Sequence, residues 1–317
     1  MLLGLNSSGA HLLTCSPPLP RTGRHWHNHA DTNSKEGGVQ RIEATFPTTG
    51  ELTLFECVWL PDSPPRGTVV LVHGYAEHCG RYDHVAAYLT GRGYAVYALD
   101  LRGHGRSEGP RTLVRSFNEY LDDVDALLAR VREHASAPLF LLGHSMGGCI
   151  VSLSAVTRRP AVAGIVLSGA VLQPPRGVQA LLLRVLALVA KPFPRLGLTT
   201  LDSALVSRDP AEVAKYDADP LNYRGKVPLG TAIAMMRAVG MIRKRAPSIT
   251  APLLILHGST DGLADPEGSH WLYEHAGSGD KMRKVYEGLY HEILNEPEKD
   301  LVMSDIAAWL DRHTTAP

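Results

Sequence analysis

The 317-residue chain has no excess of charge of either sign: Lys plus Arg number 32, and Asp plus Glu number 32. Without a net field, nothing in its composition draws it to nucleic acid or to an anionic membrane surface, so any partner must be recognised by a local site. Cysteine is scarce. Cys15, Cys57, Cys79 and Cys149 form neither a CxxC pair nor metal-ligand spacing. This argues against a disulfide scaffold and a zinc site, and makes the reducing cytoplasm the default compartment. No apolar run reaches the roughly 20 residues that a membrane span requires. The start, MLLGLNSSGAHLLTC, lacks a basic n-region, and Thr14 is a poor residue for a processing site, so no signal peptide is expected. Internal repeats and low-complexity tracts are missing as well.

What is present is enough apolar residue, 44%, to bury one large core. Residues 1–38 are polar and rich in Pro, Gly, His and Asn; they read as a disordered extension, or as a start assigned upstream of the true one. From Val39 onward short β-rich runs alternate with helical patterns, the signature of a mostly parallel sheet covered by helices. Arg41 to Phe46 and Leu52 to Trp59 read as a leading hairpin. Buried-type strands follow at Thr68 to His73, Ala95 to Asp100, Leu139 to Gly143, Gly164 to Ser168 and Leu253 to His257. Ser116 and Glu119 form a capping box before a helix whose apolar stripe runs from Phe117 to Val131. The alternation breaks between about Leu172 and Thr250, where prolines punctuate and strand patterns vanish. The organisation expected is therefore an α/β core over 39–172 and 251–317, with a helical cap inserted at 173–250.

The strongest chemical signal is Gly143-His144-Ser145-Met146-Gly147, placed directly after a strand and before a helical run. A GxSxG sequence alone recurs by chance; the strand-turn-helix context is what gives it weight as a nucleophile elbow. A serine hydroxyl needs a base within hydrogen-bond reach and a carboxylate to orient that base. In this fold the chain order is Ser, acid, His. Asp261 follows the strand ending at His257, and His291 follows the run Lys284 to Tyr286, so both fall on loops at the same sheet edge as Ser145. Asp265 competes with Asp261 but borders Pro266 and reads as a helix cap. His270 and His275 fall within the helix that follows, and His73 and His144 read as structural. An oxyanion needs two backbone donors, expected from the amides of Met146 and Tyr75. The glycine-rich cluster Asp100 to Ser107 is read as structural, its glycines letting the loop pass near the elbow.

The segments HGYAEHCGRYDHVA, DLRGHGRSEGPR, LLGHSMGG, LDSALVSRDPAEVAKYDADPL, HGSTDGLADP and YEGLYHEILNE together resemble the monoglyceride lipase family, often labelled lysophospholipase-like, from about Val39 to the C-terminus. The resemblance implies an α/β-hydrolase fold, a Ser145-Asp261-His291 triad and an oxyanion hole from Tyr75 and Met146. It also implies a place for Glu77 and Arg81 near a glycerol head-group pocket, although Glu77 could equally fasten its own loop. The chain departs from the family at Tyr75, where small or aliphatic residues are usual, at Cys79, where serine is usual, and at Leu294, where some members carry a polar residue.

Within the cap, the run Val178 to Ala190 is apolar over an arc of roughly 220°, about twice what one packed face uses. Either it is buried between other helices, or the surplus, Leu182 and Leu186 included, faces an acyl tunnel or a lipid surface. The function expected is hydrolysis of monoacylglycerols or similar single-chain lipid esters, without metal or organic cofactor. Peripheral membrane contact through the cap would accompany it. The alternatives are a broader carboxylesterase or lysophospholipase, and a catalytically silent ligand-binding protein on the same scaffold.

Overall fold

A computed structural model describes residues 30–36, 39–135, 138–174 and 180–314. The first strands are β1 (Ala30–Glu36), β2 (Val39–Thr48) and β3 (Leu52–Leu60), joined as an antiparallel meander. Structure thus begins earlier than the composition of residues 1–38 implies. The sequence of β1, ADTNSKE, carries no strand signal of its own; its backbone partners come from the edge of β2. Residues 1–29 lie outside the described residues.

Next come β4 (Gly67–Val72), α1 (Asp83–Thr90), β5 (Tyr94–Leu99), α2 (Phe117–His134), β6 (Leu139–His144), α3 (Met146–Thr157) and β7 (Gly164–Ser168). After β7 the chain leaves the sheet through α4 (Ala180–Val189), β8 (Gly197–Thr200), α5 (Pro210–Ala218), β9 (Lys226–Pro228) and α6 (Leu229–Arg245). It returns with β10 (Leu253–Gly258), α7 (Pro266–His275), β11 (Lys281–Tyr286) and α8 (Lys299–Thr314). The nine-stranded sheet has the order β1-β2-β3-β5-β4-β6-β7-β10-β11, parallel from β5 onward. The order reverses around β4, whose neighbours are the later strands β5 and β6, and ligands of open α/β sheets bind beyond the carboxyl ends of strands at such a point.

The strands are apolar along their whole length because helices cover both faces. Alternate residues sort cleanly: Val70, Val72, Leu139 and Leu141 join one core layer, while Val69, Leu71, Phe140 and Leu142 join the other. The first layer is closed by α2, α3, α6 and α7, the second by α1 and α8. The capping box at Ser116 and Glu119 forms as expected and starts α2.

The inserted segment differs from its sequence reading in two respects. It contains a small antiparallel pair, β8 with β9, where no strand was expected; at four and three residues these are too short to show an alternation. And α6 is not purely a cap element, since Ala234, Ala238, Val239 and Ile242 are part of the main core.

Candidate active site

The turn from β6 into α3 is built around two close approaches. A Cβ on Gly147 would stand 2.0 Å from the Val72 carbonyl oxygen, and one on Gly143 would stand 2.6 Å from the carbonyl oxygen of Gly147. Neither contact could be relieved by a side-chain rotation, so both positions need glycine. Between them Ser145 is held at φ 52°, ψ −115°, a conformation that a non-glycine residue adopts only when its surroundings enforce it. The hydroxyl leaves the sheet edge at the N-terminus of α3.

Three loops converge there. His291 Nε2 lies 2.8 Å from Ser145 Oγ, and His291 Nδ1 lies 2.7 Å from Asp261 Oδ2. Asp261 is fixed from behind: its Oδ1 accepts the amides of Leu263 at 2.8 Å and Ala264 at 2.9 Å, and His257 Nε2 lies 2.9 Å from its Oδ2. Burial alone would raise the Asp261 pKa, but His291, together with the hydrogen bonds from His257 and His291, outweighs it and holds the carboxyl well below the usual carboxylate range. His291 shows the converse balance. Burial pushes it down, yet the Asp261 carboxylate, with Glu292 and Glu77 beyond it, leaves its pKa above the ordinary imidazole value of 6.5.

The rival residues fall elsewhere. Asp265 caps α7 by accepting the amide of Glu267, and His275 stacks on Trp271 at 4.2 Å. His270 also sits on α7. His73 accepts the Leu101 amide at 3.0 Å, and His144 contacts Ser168 Oγ at 3.2 Å; burial lowers the pKa of both to about 3, so they are neutral structural groups. The cluster after β5 is structural too: Asp100 accepts the amides of Cys79 and Arg106, each at 2.8 Å, binding that loop to the one after β4.

The amides of Tyr75 and Met146 donate to no backbone carbonyl among the described residues. The Tyr75 side chain, the departure from the family pattern, turns to the loop after β5, with its hydroxyl 3.1 Å from Thr112 Oγ1 and its ring edge-on to His104 and Tyr223.

Glu77 and Arg81 form one charged cluster with Glu292, the residue after His291. Glu77 is buried and fastens its own loop, accepting the Gly74 amide at 2.6 Å and the Tyr82 hydroxyl at 2.8 Å. Arg81 bonds Glu77 at 2.9 Å and forks onto Glu292 at 2.6 and 2.7 Å. Glu292 and His257 escaped the sequence reading. The available signal for Glu292 was a carboxylate directly after the expected base and before the apolar pair Ile293 and Leu294, a place where a buried loop holds a charge only beside a partner.

Residues 63–298 match the family described as serine aminopeptidase, S33. A monoacylglycerol lipase of Mycolicibacterium smegmatis is 43% identical over 274 residues, 86% of this chain and 98% of that protein. This chain belongs to the monoglyceride lipase family. The monoglyceride lipase of Homo sapiens is 38% identical over 268 residues, 82% of this chain and 88% of that protein. The crystal structure of a Paleococcus ferrophilus monoacylglycerol lipase superposes with a TM-score of 0.75 at 33% identity, covering 82% of this chain and 99% of that one. Membership in the monoglyceride lipase family makes the fold an α/β-hydrolase and the enzyme class that of carboxylic ester hydrolases.

Leu182 and Leu186 separate on the surface of α4. Leu181, Leu182, Val185 and Leu188 form an exposed stripe, whereas Leu186 is only half-buried beside it and lies off that stripe. The opposite side of α4 meets α6, with Ala187 and Ala190 across from Gly230 and Ile233. The interior burial weighed for this helix is therefore not what the fold provides. No helix among the described residues is long and apolar enough to cross a membrane.

Proposed function

We propose that the chain hydrolyses monoacylglycerols to a fatty acid and glycerol, with Ser145 as nucleophile, His291 as general base and acid, and Asp261 as the orienting carboxylate. The observation carrying this reading is the continuous chain of contacts, 2.8 Å from Ser145 to His291 and 2.7 Å onward to Asp261, ending on a strained elbow. Ser145 Oγ attacks the ester carbonyl carbon while its proton passes to His291 Nε2. The carbonyl oxygen becomes an oxyanion received by the amides of Tyr75 and Met146. Collapse breaks the bond to the glycerol oxygen, which takes the proton from His291, leaving an acyl ester on Ser145. Water, deprotonated by the same imidazole, then releases the fatty acid and restores the hydroxyl. The scheme draws on no metal or organic cofactor.

The head group bears on a second reading, a broader carboxylesterase or lysophospholipase. Both Arg81 amino groups are committed to Glu292, and Leu294, apolar and buried, stands where some relatives are polar, so fewer donors remain to select glycerol. Kinetics on esters differing only in head group separate the two: a preference of less than about threefold for monoacylglycerol over lysophospholipid would favour the broader enzyme. Delivery of the substrate belongs to the same proposal. The exposed stripe on α4 suits peripheral contact with a lipid surface from the cytoplasm. A fluorophosphonate probe tests the core of the reading, since a catalytically silent binder would leave Ser145 unlabelled.

A further inference from the structure

We propose that Glu292 is a positioning residue: with Arg81 and Glu77 it ties the base loop to the oxyanion loop and sets net negative charge behind His291, where the imidazolium forms. The proposal rests on the reading of His291 as the base. The connection can be followed bond by bond. Glu292 adjoins His291 in the chain and is bound by both Arg81 amino groups at 2.6 and 2.7 Å. Arg81 Nη1 also reaches Glu77 Oε2 at 2.9 Å, and Glu77 Oε1 accepts the Gly74 amide at 2.6 Å, one residue before the Tyr75 amide expected to hold the oxyanion. Further contacts steady Glu292: Asn295 Nδ2 donates to its Oε2 at 2.9 Å, and its own amide donates to the Val206 carbonyl of the inserted segment at 2.8 Å.

Two carboxylates share one guanidinium here, so the cluster carries one net negative charge when both are ionised. Burial raises the Glu77 pKa, and Arg81, the Tyr82 hydroxyl and the Gly74 amide oppose that by favouring the ionised form. Burial would raise the Glu292 pKa, but the fork from Arg81 outweighs it and lowers it. The charged and titratable groups around His291 are then Asp261 and, through it, His257; His144, neutral, at a ring separation of 4.9 Å; and the Glu292–Arg81–Glu77 cluster. Of these, the Glu292 and Glu77 carboxylates make no hydrogen bond to the His291 ring, yet both favour its protonated form. A fork from arginine, planar and bidentate, fixes separation and orientation in a way that a lysine ammonium does not.

The test is a pH profile of kcat/KM on a short water-soluble ester, with rates counted per Ser145 labelled by fluorophosphonate. Glu292→Gln should lower kcat about tenfold with KM within about twofold, and move the acid limb about half a unit to lower pH, because a charge that favoured imidazolium is gone. Arg81→Lys should lower kcat and leave the limb in place. Glu77→Gln, one link further away, should move the limb the same way by less, and serves also if Glu292→Gln proves insoluble. An acid limb that stays at its wild-type position in both charge-removing variants overturns the proposal whatever their kcat. A wild type that does not label at Ser145 overturns the triad reading and this one with it.

Discussion

Helices α3 and α4 are two of the most apolar segments in the chain, and they meet opposite fates. Eleven of the twelve residues of α3 are buried, as expected of a helix that is hydrophobic all round. In α4, ten residues long and with Arg184 its one charged member, Leu181, Leu182, Val185 and Leu188 stay 49–68% exposed. The same pattern in sequence thus serves two ends. One helix is a fixed post against which the nucleophile is set, and the other keeps a greasy face turned outward. Of the eleven exposed large apolar side chains among the described residues, seven lie between Leu181 and Leu198, so the exposure belongs to one region and is not scattered as surface leucines ordinarily are.

The comparison breaks most sharply at the N-terminus of α3. Ser145→Ala should reduce ester hydrolysis by about 10⁵-fold or more with an unchanged circular dichroism spectrum. Retention of more than a few per cent of turnover would remove Ser145 from its role. No single substitution on the exposed face of α4 should approach that effect.

A step down in magnitude, His291→Ala is expected to cost about 10⁴-fold in kcat and Asp261→Asn somewhat less, while Asp265→Asn should leave kcat near wild type because that side chain only caps α7. Since Asp261 holds the His291 pKa above 6.5, hydrolysis should fall as pH drops through a value above 6.5, where the imidazole gains a proton and can no longer accept one from Ser145. Undiminished turnover a full unit below 6.5 would contradict the assignment of the base.

The two helices also separate in folding. Gly147→Ala places a methyl group where it would meet the Val72 carbonyl at 2.0 Å, so α3 or β4 must move; a loss of about 3 kcal/mol and a melting temperature lower by roughly 6–12 °C are expected. Leu188→Ser on α4, at a side chain 65% exposed, should change stability by no more than about 0.5 kcal/mol. Thermal melts of the two variants side by side decide the matter, and comparable losses would mean that α4 is as much a core helix as α3.

How much of this could be read from the sequence depends on how local each signal is. The elbow, the capping box at Ser116 and the buried strands are encoded within a few residues, and they point to side chains that the fold brings within hydrogen-bond distance. The strand β1 was invisible because its pairing is supplied by β2, and β8 and β9 because a few residues cannot display a period. The Arg81–Glu292 fork joins residues 211 apart in the chain and exists only once the loops after β4 and β11 meet. The apolar surplus of α4 was legible as a surplus. Its direction, outward and away from α6, was not, because an apolar helix reads the same whether it faces protein or lipid.

The smallest effect, and the one that tests what the exposed face of α4 does, concerns the double variant Leu181→Ser/Leu188→Ser. These side chains are 68% and 65% exposed and carry no polar group that could act in the chemistry, so hydrolysis of a short water-soluble ester should keep both kcat and KM within about twofold. On monoacylglycerol dispersed in phosphatidylcholine vesicles, KM should rise roughly tenfold. Burying apolar surface in lipid contributes roughly 25 cal/mol per Å², so if each leucine inserts only about 30 Å², losing both removes on the order of 1.5 kcal/mol, which matches a tenfold change. Because the binding would draw on apolar area and the chain has no net charge, vesicle flotation should be nearly the same at low and high salt. Flotation that collapses in high salt would point to charged contacts instead. Equal changes in KM on both substrates would mean that α4 shapes the site itself, and the contrast with α3 would then lie in packing alone.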